Sequence, residues 1–290
     1  MSDWLARHVP KIVLTPTFVA VVLFVYAFIG WTAWISFTRS KLMPRYEIDG
    51  IIQYTRLFSS PRWDTALGNL FLFGALFIGV AMVLGLTLAI FLDQKIRIEG
   101  ALRTIYLYPM ALSMIVTGTA WKWILNPGLG LEAMVQGWGF PEFKFDWLVN
   151  PDYAIYTVVM AAVWQASGFV MALFLAGLRS VDGEIIKAAQ VDGIPSWRIY
   201  SAIIIPSMAP IFLSAFIVLA HLAIKSFDLV IALTGGGPGY ATDLPATYMY
   251  AMAFSRGDIG QAASSAMVMM GVVFAIVVPY LYSELRAKHD

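Results

Sequence analysis

Cysteine is absent, histidine occurs three times, and Asp, Glu, Lys and Arg together make up only 13% of the 290 residues. Without cysteine there is no disulfide framework and no thiolate metal site, although the compartment stays open. His8, His221 and His289 are too scattered to form a metal cluster. No GxxxxGK[ST] phosphate loop occurs, and the glycine run at Gly235 lacks the lysine, so the chain offers no site of its own for hydrolysing ATP. A formal net charge of +1 does not point to nucleic acid. What is present is apolar. The chain is 60% hydrophobic and 14% aromatic, with a mean hydropathy of +0.75, more than a water-facing globular surface tolerates. These bounds predict an all-α membrane protein.

A helix needs roughly 20 apolar residues to cross about 30 Å of hydrocarbon. Six stretches meet that length, at about 12–37, 67–92, 101–125, 154–178, 203–233 and 261–282, and the whole of 1–290 reads as one transmembrane domain. The first follows Arg7 and Lys11 but is too long, and lacks a clear small-residue cleavage site, to be a signal peptide. It is expected to be a retained span. Pro109 falls inside the third stretch, where a membrane helix tolerates proline if neighbours satisfy the freed carbonyl. With the N-terminus inside, ten Lys and Arg fall in short inner segments, and seven fall in longer outer loops that also hold nine acidic residues. That bias follows the positive-inside rule and predicts cytoplasmic termini. It also puts residues 179–206 on the inside.

Residues 179–206, RSVDGEIIKAAQVDGIPSWRIYSAIIIP, are polar in a greasy chain. Asp182 is placed to cap a helix, with Glu184 in its first turn. Gly193 suits the left-handed turn that ends that helix, and Pro195 suits the start of another. A short bent helical pair is the prediction. Trp197 and Tyr200 give the second arm an apolar side, while Glu184, Lys187, Gln190 and Arg198 face outward.

This stretch resembles the cytoplasmic coupling motif of the inner-membrane permease subunits of ABC importers, written EAA, three residues, G, nine residues, I, one residue, LP. The matching positions are Lys187, Ala188 and Ala189, Asp192 and Gly193, Tyr200 at the family's Phe, Ile203, and Ile205 with Pro206. Lys187 stands for the family's Glu and Ile194 for its usual Ala, so any ionic partner of Lys187 on the ATPase is expected to be acidic. The resemblance implies six transmembrane helices, with a cytoplasmic helix-Gly-helix segment between spans four and five docking on an ATP-binding subunit. It assigns ATPase coupling to Glu184, Lys187, Ala188, Ala189, Asp192, Gly193, Trp197 and Arg198.

The segments Ala120 to Glu132, Val163 to Leu178 and Phe227 to Asp243 resemble carbohydrate-uptake permeases related to the maltose and glycerol-phosphate systems. In overall wording the chain is similar to bacterial glucose and mannose uptake permeases. The resemblance implies a bacterial inner-membrane permease that is not itself an enzyme and binds no cofactor, with ATP and Mg held on partner subunits. The implied partners are a second permease, two ATP-binding subunits, a periplasmic or extracellular sugar-binding protein and the lipid bilayer. A permease for polyamine, phosphate or peptide is the nearest alternative, and an ion-driven secondary transporter is another.

A sugar path needs amides, carboxylates and hydroxyls inside an apolar bundle. Asn69, Gln165, His221, Lys225 and Asp228 are the candidates. The last three lie at i, i+4 and i+7 and are expected on one helical face, where Lys225 and Asp228 either line a path or form a local ion pair. Asn69 and Gln165 either meet a hydroxyl or fasten two helices. Trp121, Lys122 and Trp123 read as an outer aromatic belt with a snorkelling lysine. The run at Gly235 to Gly239 is either a mobile loop that approaches the sugar-delivering protein or a simple turn.

Overall fold

The computed structural model describes residues 2–94 and 96–287, with side chains described at 11, 13–94, 96–280 and 282. Lys95, Lys288 and His289, and the side chains of Arg7, His8 and Arg286, lie outside the described residues. Regular structure among the described residues is helical, with one isolated bridge between Thr38 and Ile48. We number the helices α1 (Val13–Ser36), α2 (Ile52–Phe58), α3 (Pro61–Asp93), α4 (Glu99–Leu107), α5 (Met114–Ile124), α6 (Leu131–Gly137), α7 (Ala154–Ser180), α8 (Gly183–Val191), α9 (Ser196–Ser207), α10 (Ala209–Ile224), α11 (Asp228–Leu233), α12 (Pro245–Tyr250) and α13 (Ile259–Ala287). Helices α1, α3 and α7, and α13 over Ile259–Tyr280, are long and apolar enough to cross a membrane. The bent pair α9 and α10 makes a fifth if it is counted as one span.

Two of the six expected continuous spans are broken. Over 101–125 the chain leaves helix at Leu107, makes a tight turn through Tyr108–Ala111, and is extended at Leu112. Pro109 has no N–H to continue the ladder, so the break falls beside it. Two side chains repair it: Ser113 accepts from the Val116 N–H at 3.3 Å to start α5, and the Gln165 amide donates to the Leu112 carbonyl at 2.8 Å. Over 203–233 the helix bends by 67° around Met208, between Pro206 and Pro210, and stops again at Lys225–Phe227 before α11. At that second stop the Ser226 hydroxyl bonds back to the Leu222 carbonyl at 2.9 Å. Asp228 in the first turn of α11 matches the dipole of its own helix end.

The backbone groups into two compact units. The larger, Asp64–Thr247 resuming at Val273, is centred on α7, where two thirds of the membrane-length window is buried, against none in α1. Small residues let α7 serve as an axle. A Cβ built on Gly168 would lie 1.8 Å from the Tyr106 carbonyl oxygen, so the end of α4 rests directly on α7. A Cβ on Gly118 would lie 2.7 Å from the Ala232 Cβ, so α5 and α11 also pack closely. Phe174 and Phe212 pack at 4.5 Å between α7 and α10.

The smaller unit, up to Trp63 and again over Tyr248–Val272, is built around buried Trp63 and Tyr248, whose rings meet edge-on at 5.2 Å. Gln261 donates to the Tyr248 hydroxyl at 2.8 Å. Its loop after α1 is closely tied. Ser40 Oγ exchanges hydrogen bonds with both backbone groups of Arg45 at 2.9 Å, Gln53 donates to the Thr38 carbonyl at 2.8 Å, and the Gly260 N–H donates to the Ser40 carbonyl at 2.8 Å.

Gly168→Ala is expected to lower the yield of folded, detergent-stable protein sharply, because a backbone carbonyl occupies the space a methyl needs. Gly79→Ala, with nothing within 4 Å, should leave it unchanged. Size-exclusion profiles of the two variants check this, and equal profiles would contradict the packing described.

Candidate functional site

The exposed turn between α7 and α10 forms as local chemistry demands. After Ser180 the chain is extended at Val181, and the Asp182 carboxylate accepts from the Glu184 N–H at 2.9 Å to cap α8. At the far end Gly193 has φ +74°, its N–H donates to Gln190 at 3.1 Å, and the Ile194 N–H reaches back to Ala189 at 3.0 Å. That left-handed glycine reverses the chain. Pro195 then caps α9 rather than opening its first turn, and Arg198 and Ile199 both donate to its carbonyl.

The two arms present a mixed surface. Glu184, Lys187, Ala188, Asp192, Gly193, Trp197 and Arg198 are all exposed. Ala189 is not: it faces inward and cannot meet a partner directly, because the first arm needs one side against the body. Val191 is 87% and Trp197 67% exposed, and the Arg198 guanidinium lies 5.3 Å from the centre of the Trp197 ring. Large apolar side chains held out at a charged tip are a costly choice for a surface that stays in water.

The base of the elbow is fastened to the bundle by groups that sequence reading missed. Arg179, at the end of α7, bonds Glu99 at the start of α4 at 2.7 Å and lies 3.7 Å from Asp93 at the end of α3. Its guanidinium also approaches the Leu92 carbonyl at 3.5 Å. Tyr200, in the second arm of the elbow, donates to the second oxygen of Asp93 at 3.1 Å. A cation here offsets Asp93, whose charge sits at the wrong end of the α3 dipole. Partial exposure keeps each pair at the order of 1 kcal/mol, but together they join the ends of three helices to the elbow. Buried Ile199 and Ile204 hold the second arm down beside Tyr200.

The path candidates are not assembled into one face. His221, Lys225 and Asp228 do not share a helix, because α10 ends at Ile224 and Lys225–Phe227 form the break. All three are exposed, and among the described residues no ion pair joins Lys225 to Asp228. Asn69 donates to the carbonyls of Tyr240 at 3.2 Å and Asp243 at 3.0 Å, and Gln165 to that of Leu112, so both amides fasten loops. Trp121 packs edge-on against Trp164 at 5.9 Å, leaving Lys122 and Trp123 exposed.

The glycine turn is stapled. Thr234 and Thr242 hydroxyls meet at 2.6 Å, and Thr242 also donates to the Gly237 carbonyl at 2.9 Å. Gly235, Gly236 and Gly239 all have positive φ. Among the described residues no three His, Asp or Glu gather to hold a metal. The arrangement is a partly apolar elbow joined to several helix ends.

Comparison with known proteins gives three kinds of likeness. The family of binding-protein-dependent transport system inner membrane components matches residues 81–287. A protein of Pyrococcus horikoshii named a probable ABC transporter permease is 38% identical over 277 residues, covering 95% of each chain. The xylose/arabinose import permease protein of Haloferax volcanii is 36% identical over 273 residues, 93% of this chain and 86% of that one. A subunit in the crystal structure of a bacterial alginate ABC transporter, in complex with an alginate pentasaccharide-bound periplasmic protein, superposes with a TM-score of 0.83. It is 20% identical, over 96% of this chain and 94% of that one, and so shows the same fold.

Gly193→Ala forces a side chain into left-handed backbone at a cost of about 1 kcal/mol. A thermal midpoint lower by roughly 2–4 °C is expected. Gly183→Ala, at a position with ordinary φ and open space, should not move it. Equal midpoints would show that the turn does not depend on that angle.

Proposed function

Because this chain belongs to the family of binding-protein-dependent transport system inner membrane components, we propose that it is a permease subunit of an ABC importer that carries a sugar across the cell membrane. The observation that carries this reading is the elbow at 179–206, a capped helix, a left-handed glycine and a second helix with Val191 and Trp197 exposed at its tip. In this reading the elbow lies in the cytoplasm and docks on one of two ATP-binding subunits, which hold ATP and Mg. Glu184, Lys187, Asp192, Gly193, Trp197 and Arg198 form the docking surface, and Lys187 meets an acidic residue. A second permease completes the path, and a soluble sugar-binding protein delivers substrate from outside.

The mechanism follows from the clamp. Closure of the ATPases pushes the elbow. Tyr200 and Arg179 pass that push to the ends of α3, α4 and α7 together. The bundle then changes between two discrete packings, opening the path to one side at a time. The bend at Met208 and the stop at Lys225–Phe227 are the places where α10 can rotate without breaking a continuous hydrogen-bond ladder. A sixth crossing is completed by the broken segment 99–124. Exposed His221, Lys225 and Asp228 face water or the second permease in the assembled path, since charge left against lipid costs about 2.5–3.5 kcal/mol per residue.

The resemblance to glucose and mannose permeases makes a hexose the first substrate to test. The relative named for xylose and arabinose supports a neutral monosaccharide more broadly. Stimulation of ATPase activity in the purified complex by binding proteins loaded with different solutes decides the class. Stimulation by a hexose-loaded protein is expected, and stimulation only by amine-, phosphate- or peptide-loaded proteins would overturn the sugar reading. Arg179→Gln is expected to keep near-normal expression while lowering transport per ATP hydrolysed about tenfold. Unchanged transport per ATP would remove the clamp from the mechanism.

A further inference from the structure

The smaller unit contains a basic cavity that the transport reading does not use. About 300 Å³ in volume, it is lined by Arg39, Lys41, Arg45, Gln53, Arg56 and Asp258. Arg39 is paired with Asp49. Among the described residues Lys41, Arg45 and Arg56 have no ion pair, so three cations face the cavity against the single carboxylate of Asp258. Like charges directed at one space repel unless an anion enters it.

The carboxylate of Asp258, partly open at the same cavity, defines the rest of the ligand. Gln53, beside it, is only 1% exposed and donates to the Thr38 carbonyl, and its buried Oε1 is closed to a ligand, so it walls the cavity without contributing a contact. The ligand that suits this lining carries an anionic group for the cations and a hydroxyl or ammonium donor for Asp258.

Position selects the source. Arg39 lies three residues beyond Ser36, the end of the 24-residue apolar helix α1, hence within about 10 Å of it. That depth is the headgroup layer, which extends several Å beyond the hydrocarbon. In the same loop Leu42, Met43, Tyr46, Ile48 and Ile51 are 61–79% exposed. Such side chains suit the acyl boundary, with cations beside them at the phosphates. We propose that this cavity binds the headgroup of a membrane phospholipid, the phosphodiester held by Lys41, Arg45 and Arg56 and the terminal hydroxyl or ammonium held by Asp258. The proposal rests on α1 crossing the bilayer and not on the choice of substrate.

Native mass spectrometry of the full chain, exchanged into detergent with phosphatidylglycerol or phosphatidylcholine, tests it. Phosphatidylglycerol has hydroxyl donors and phosphatidylcholine has none. Retention of phosphatidylglycerol about tenfold above phosphatidylcholine is expected, falling to the phosphatidylcholine level in Arg45→Gln/Arg56→Gln and unchanged in Lys144→Gln. Equal retention of the two lipids by the wild-type chain, or wild-type retention by the double variant, would overturn the site. Complete release of the lipid by millimolar inorganic phosphate would reassign it to a free anion and overturn the lipid source. Alkaline carbonate washing of the same membranes tests the premise separately. The chain is expected in the pellet, and its release would remove the membrane reading and the lipid site together.

Discussion

Arg179 is bonded at once to the start of one helix and the end of another, at the point where its own helix gives way to the elbow. An elbow attached only by its two strands of backbone would swing when pushed. Fastened through Arg179, Asp93, Glu99 and Tyr200, it is instead tied to the ends of α3 and α7 and to the start of α4. Each bond is individually weak because each is partly open to water. What distinguishes them is convergence, since three helix termini meet at one guanidinium and one carboxylate.

The same bundle must satisfy its backbone without help from water, and this explains where it is irregular. The chain leaves helix at 108–113 and at 225–227, and at each place a side chain takes up a group that the ladder releases. Gln165 reaches from the central helix to the Leu112 carbonyl, and Ser226 returns to Leu222. Asn69 does the same for the loop after α11 by holding two of its carbonyls. Residues with a polar appearance in an apolar segment are here largely the repair of backbone breaks. The trio His221, Lys225 and Asp228 is different: all three are exposed, and among the described residues no ion pair joins them to this chain.

The elbow was legible because its signals are local: Asp182 two positions before Glu184, and Gly193 just after the last helical turn. Apolar length likewise located the long helices. Continuity was misread at 101–125 and 203–233, because Pro109 was taken as tolerated within a helix and an apolar run does not show the bend at Met208 or the stop at Lys225–Phe227. The supposed shared face of His221, Lys225 and Asp228 failed with that continuity. The clamp was invisible for another reason: Glu99 and Arg179 are 80 residues apart, and nothing in either neighbourhood indicates the other. Gln165 and Asn69 were found as candidates, but only three-dimensional contacts reveal which carbonyls they serve.

The absence of cysteine makes the central claim open to direct measurement, because a single introduced thiol is the only one in the chain. Val191→Cys places it at the most exposed apolar point of the elbow. In membranes holding the assembled transporter, a thiol-reactive photocrosslinker at that position is predicted to capture an ATP-binding subunit. The same probe at Lys144→Cys should not. Failure of the elbow probe to capture that subunit, or its labelling from outside intact cells by a membrane-impermeant maleimide, would contradict the account.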